Sequence, residues 1–132
     1  PADSGARWVQ VAPSADDTNA AFAPPSANGC TWARGGGSVC GDVQGDGKKI
    51  NSLNVSRLGF VGNICNYTGH WKVTNSSGAT IDSGLSSNGG CTPVSAYFHW
   101  KINKSYPSGT KVTLTWFRDG DGRDGAVAFQ LK

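Results

Sequence analysis

Two short segments repeat one chemistry-bearing pattern: His70-Trp71-Lys72-Val73 and His99-Trp100-Lys101-Ile102. They contain both histidines of the chain. In an extended strand successive side chains point to opposite faces, so His and Lys share one face while Trp and the β-branched residue share the other. One functional reading is a polar face on paired strands, in which His70, Lys72, His99 and Lys101 grip an anionic group. Another is a displayed pair, Trp71 with Trp100, acting as a platform for sugar rings, because Trp is amphipathic and enriched at binding surfaces. The structural alternative buries both Trp and turns His and Lys to solvent, which is what a one-sided sheet produces.

The chain has five Trp, more than one core of this size needs. Trp32 is the one least explained by packing. It lies between Cys30 and the run Gly35-Gly36-Gly37, with Arg34 beside it as a hydrogen-bond donor. Trp32 and Arg34 are therefore candidate ligand-binding residues. The structural alternative for Trp32 is a cap over an open end of the fold.

A second constellation is Asp119-Gly120-Asp121-Gly122-Arg123-Asp124-Gly125. Carboxylates spaced by glycine suit a hard cation such as calcium, with Asp119, Asp121 and Asp124 as ligands. Arg123 interrupts the spacing of a calcium loop, and the chain has no Glu to supply a bidentate ligand. Asp-Gly is also a strong hairpin-turn signal. The expectation is a plain turn and no cofactor, with calcium the one ion the segment could take.

Catalysis fits poorly. Two carboxylates of split pKa would be needed for glycoside hydrolysis, and all nine acidic residues are Asp in turn-like contexts. There is no G-x-S-x-G elbow, no H-E-x-x-H and no phosphate-binding loop. The expectation is a non-enzyme.

The elements that must position these residues are strands. The chain has 132 residues, enough for one domain with a real core. It has 19 Gly, no Met and no Glu, a composition that disfavours helix. No apolar run is long enough for a transmembrane helix. The chain begins at Pro1 rather than Met, which reads as a processed or trimmed chain whose signal peptide is gone. Cys30, Cys40, Cys65 and Cys91 match no zinc spacing, and an even number of cysteines reads as a disulfide framework of an oxidising compartment. Four Cys allow three pairings; the sequential one, Cys30–Cys40 and Cys65–Cys91, is expected here. Secretion to the extracellular space follows as an expectation.

The net charge is +3, with basic residues spread along the chain. Nucleic-acid binders show a basic patch, so no nucleic acid and no membrane insertion are expected. Sequons stand at Asn54, Asn66, Asn75 and Asn103; they would carry glycans only in a eukaryotic secretory pathway.

Period-two alternation predicts strands over 6–11, 54–61, 68–73, 80–83, 93–103, 111–117 and 126–131. Residues 12–49 read as a long irregular segment pinned by cysteines, including the loop signal Ala23-Pro24-Pro25-Ser26; 84–90 and 119–125 read as loops. Residues 50–132 form the strand-rich part. The expected fold is one all-β domain over residues 1–132, an antiparallel β-sandwich of immunoglobulin-like or jelly-roll style with about seven strands and two disulfides.

Two functions compete. The first is a secreted binding module that recognises carbohydrate or a cell-surface polymer through exposed aromatics. The second is an extracellular protein-interaction factor (a protease inhibitor, a toxin component or an adaptor) that presents the Cys30–Cys40 loop, with Arg34 as the residue a trypsin-like protease would read. The expected partner is accordingly a polysaccharide or an extracellular protein.

Overall fold

Alternation of apolar and polar residues dictates sheets with one buried face, and two such faces pack against each other in the computed structural model. It describes residues 7–12, 29–119 and 122–132. The strands are β1 (Trp8–Val11), β2 (Cys30–Trp32), β3 (Ser38–Asp46), β4 (Lys49–Leu58), β5 (Asn63–Thr74), β6 (Thr80–Pro93), β7 (Ala96–Ser105), β8 (Lys111–Arg118) and β9 (Gly122–Leu131). They form a five-stranded sheet, β1-β9-β8-β5-β6, and a four-stranded sheet, β2-β3-β4-β7. Every pairing is antiparallel. The all-β sandwich with two disulfides is as expected from sequence; among the described residues it has nine strands where about seven are predicted. Within them no helix is long and apolar enough to cross a membrane.

The core lies between the sheets. Val39, Leu53 and Val55 from the smaller sheet meet Val73, Val112, Leu114 and Val127 from the larger, all fully buried. Trp116 sits among them, stacked on Tyr67 with ring centroids 5.4 Å apart and tilted against Phe98 at 5.3 Å. Such aromatic contacts add about 0.5–1.5 kcal/mol each beyond the area they bury. Two glycines make room for this packing. A Cβ on Gly41 would lie 2.5 Å from Val127, and one on Gly69 would lie 2.5 Å from Phe98.

Gly41 explains one correction. Residues 12–49 are not uniformly irregular: β2 and β3 lie within them. The glycines of Ser38–Asp46 hide the strand pattern in the sequence, but one of them, Gly41, makes room for Val127 of the facing sheet. The signal Ala23-Pro24-Pro25-Ser26 lies outside the described residues, as does Ala6 of the first predicted strand.

A second correction concerns 84–90, which pair along β5 as the middle of β6 rather than forming a loop. Gly84 sits opposite Trp71, where a Cβ would meet the indole at 2.5 Å. Packing against a neighbouring strand overrides the weak strand propensity of Gly, Ser and Asn. The third is at 119–125, where Gly122 already begins β9, so Asp124 and Gly125 are strand residues. Strands β5–β6 and β8–β9 form hairpins. Asn75 Oδ1 closes the β5–β6 turn by accepting from the amides of Ser77 and Ala79, each at 3.0 Å.

Both disulfides join directly opposed residues of neighbouring strands: Cys30 to Cys40 across β2 and β3, and Cys65 to Cys91 across β5 and β6. β2 and β6 are edge strands. Each bridge therefore clips an edge strand, paired on one side only, to the body of its sheet.

Candidate functional site

Among the described residues, the aromatic side chains left mostly exposed, Trp32 and Tyr97, both stand on the outer face of the four-stranded sheet. Strand alternation sends Val39, Gly41, Val55, Ala96, Phe98 and Trp100 inward, so Trp32, Ser38, Cys40, Asp42, Asn54, Ser56, Leu58, Tyr97, His99 and Lys101 point outward. The register then sets three rows across the strands. Trp32, Ser38 and Leu58 form one; Cys30, Cys40, Ser56 and Tyr97 form the next; Asp42, Asn54 and His99 form the third. Trp32 on β2 is 59% exposed and Tyr97 on β7 is 73% exposed. They occupy opposite edges of one face. Three strand spacings of about 4.8 Å and an offset of two residues place them about 16 Å apart.

The polar groups of this face are held in place. His99 Nδ1 lies 2.6 Å from Asn54 Oδ1. The amide oxygen accepts, so in the neutral ring Nδ1 carries the proton and Nε2 offers a lone pair. Gln44 Nε2 donates to Asp42 Oδ2 at 3.0 Å, and Ser52 Oγ donates to Gln44 Oε1 at 3.3 Å. The face thus offers donors and acceptors of both kinds with little net charge.

Trp32 stands on a rigid backbone. The preceding residue, Thr31, is buried and donates from Oγ1 to Ala126 O at 2.8 Å, in the opposite sheet. Beyond it, Ala33 N donates to Gly37 O and Arg34 N to Asp124 O. Arg57 completes the clamp from below. Its guanidinium donates to the carbonyls of Arg34, Gly36 and Leu58 at 3.0, 2.6 and 3.0 Å.

Arg57 also organises a buried charge cluster. Arg57 Nε donates to Asp124 Oδ2 at 2.9 Å, Arg118 Nε to both carboxylate oxygens at 2.9 and 3.1 Å, and Arg34 Nη2 to Oδ1 at 3.2 Å. Phe60 lies against two of these guanidiniums, 5.1 Å from Arg57 and 4.4 Å from Arg118.

This cluster bears on the calcium candidates. Asp124 is fully buried, with both oxygens taken by arginines. Asp119 accepts from Arg118 at 3.2 Å. Asp121 lies outside the described residues. Among those described, no group of three or more His, Cys, Asp or Glu is placed to hold a metal.

The His-Lys-Trp echo is divided between the sheets, which corrects the expectation of paired strands. β5, with His70 and Lys72, pairs β6 and β8; β7, with His99 and Lys101, pairs β4. His70 and Lys72 face outward on the five-stranded sheet, away from His99 and Lys101. The displayed tryptophan pair is corrected too. Trp71 and Trp100 are partly buried against the core, and Trp100 Nε1 donates to Ser86 Oγ at 2.9 Å. Both share parity with buried residues, Val73 and Phe98 or Ala96, so the structural reading holds for them.

Arg34 is 44% exposed, with its guanidinium held by Asp124 and by Arg123 O at 2.9 Å. The Cys30–Cys40 segment that carries it is a short hairpin, β2 and β3, rather than a protruding loop. Tyr97, Asp42, Asn54 and Ser56 were not among the candidates read from sequence. The alternation of Tyr97 against Phe98 and Trp100 marks it as outward-facing, but its neighbours across the sheet come from β3 and β4 and no local pattern reveals them.

No protein-family model matches the chain, and no curated protein matches it. The fold defines the class: a two-sheet antiparallel β-sandwich with clipped edges, of the kind whose disulfides persist in oxidising compartments.

Proposed function

We propose that this protein is a secreted, non-catalytic binding module that recognises carbohydrate or a cell-surface polymer through the outer face of its four-stranded sheet. One observation carries the reading: Trp32 and Tyr97 are exposed on the same face of one sheet, with hydrogen-bonding side chains in the rows beside them. Sugar rings present an apolar C–H face that an aromatic ring can cover, and a hydroxyl rim that seeks donors and acceptors. Trp and Tyr bring large contact area at low entropy cost. A backbone held as Trp32's is loses little freedom on binding.

The reading is tested by affinity electrophoresis through gels cast with soluble polysaccharides. The parent protein should be retarded by at least one polymer, and Trp32→Ala and Tyr97→Ala should each migrate as in a blank gel. Both positions are surface sites, so the variants should keep stability to within about 0.5 kcal/mol. Retardation unchanged in both variants would overturn the reading.

A further inference from the structure

The arrangement of the two rings, resting on the carbohydrate reading above, says what shape of glycan the face takes. We propose that it binds a linear, uncharged, extended glycan laid across the strands, with one sugar ring on Trp32 and another on Tyr97.

Length comes first. A gap of about 16 Å, set by strand spacing and register, exceeds what a single sugar ring can bridge. The ligand must be an oligosaccharide, and it must stay extended between the two contacts, because both rings stand on one sheet face. β-1,4-linked pyranoses meet this need, since their equatorial linkages keep the chain ribbon-like and leave ring faces available for stacking.

Direction comes next. The line from Trp32 to Tyr97 passes over Leu58 and Ser56, from the β2 edge to the β7 edge. Leu58 is exposed and supplies an apolar floor between the rings. The row Asp42–Asn54–His99 runs along one flank, about 7 Å away along the strands. Beyond the end of β4 come Val61, 90% exposed, and Val94, where the two loops are joined by Phe60 N to Val94 O at 3.0 Å and Val94 N to Gly62 O at 3.1 Å. A chain lying here meets hydroxyl-binding groups along the flank that carries Asp42, Asn54 and His99.

Charge comes last. Asp42 is exposed in the row that flanks the rings, and Lys101, on the same face, lies one row farther away. A polyuronate would bring carboxylates against Asp42, whereas hydroxyl groups can donate to it. The nearby Arg34 and Arg118 are already paired with Asp124.

Isothermal titration with cello- and chito-oligosaccharides, from disaccharide to hexasaccharide, tests this. Affinity should rise by about a hundredfold between the disaccharide and the first oligomer that spans both rings, then level, as the second contact becomes intramolecular. Trp32→Ala and Tyr97→Ala should each reduce the longest oligomer to the affinity of the disaccharide. Equal affinity at every length would overturn the spanning chain while leaving the carbohydrate reading intact. Tighter binding of an oligouronate of matched length would overturn the uncharged ligand. Binding of no sugar by this assay or in the gels would overturn the carbohydrate reading and the spanning chain with it.

Discussion

Arg57 Nε donates to Asp124 Oδ2 at 2.9 Å with both side chains fully buried, and the same guanidinium holds the carbonyls of the turn that follows Trp32. One residue thus ties the interior charge to the exposed ring. Removing Asp124 leaves the buried Arg57 guanidinium without its carboxylate, which costs about 3–5 kcal/mol; removing Arg57 strands the carbonyls it holds, while Asp124 keeps Arg118 and Arg34. Asp124→Asn should lower the unfolding free energy by that amount, and Arg57→Met by less, both read from urea unfolding curves by circular dichroism. A loss under about 1 kcal/mol would mean that the cluster contributes little, as surface ion pairs do.

The disulfides should contribute unequally. Their sequence separations are 10 and 26 residues. In the chain-entropy model, closing loops of these lengths stabilises by about 2.7 and about 3.5 kcal/mol. Cys65→Ser with Cys91→Ser should therefore destabilise more than Cys30→Ser with Cys40→Ser. Thermal unfolding of both double variants checks the order. Loss of the Cys30–Cys40 bridge should also loosen Trp32, visible as a shift of its emission toward that of free indole.

Tyr106 and Asp82 form a pH-sensitive contact between the sheets. Tyr106 OH donates to Asp82 Oδ2 at 2.9 Å, and Lys104 Nζ donates to the same oxygen at 2.8 Å. Burial, then the bond to Asp82, pushes the Tyr106 phenol above the ordinary tyrosine range. The bonds from Lys104 and Tyr106 hold the Asp82 carboxyl below the ordinary carboxylate range. The phenol's contribution to stability is full below the unfolded pKa of about 10 and is lost as pH rises beyond it. The carboxylate's is full above about pH 4 and is lost as pH falls. Phenolate absorbance should show the Tyr106 phenol titrating late. Asp82→Asn should bring that titration down without returning it to the ordinary value, because burial remains.

Calcium should not change the melting temperature. The carboxylate of Asp124 already accepts from three arginines, and a cation there would have to displace them. Calorimetric scans with calcium and with a chelator should superimpose. A rise of several degrees with calcium would place a bound ion on the 119–124 segment.

Period-two alternation made most strands legible, as well as the inward turn of Trp71 and Trp100, because a strand's faces are decided locally. The even cysteine count pointed to two disulfides, and the sequential pairing, one of three the count allows, is the one formed. What was not legible depends on neighbours distant in sequence. β3 and the middle of β6 are strands because Gly41 and Gly84 accept side chains from other strands. Asp124 reads as a turn residue or metal ligand until Arg57, 67 positions away, is seen to reach it. The pairing of Trp32 with Tyr97 across one face depends on the order β2-β3-β4-β7, which no local pattern contains.

The central claim is that ligand lies on the outer face of the four-stranded sheet. Amide chemical shifts recorded while the parent protein is titrated with a β-1,4-linked hexasaccharide test it most directly. The shifts should move at Trp32, Ser38, Asn54, Ser56, Tyr97 and His99, with the indole signal of Trp32 among the largest, while His70 and Lys72 on the other sheet stay fixed. Changes centred on β5 and β6, or no changes at all, would contradict it.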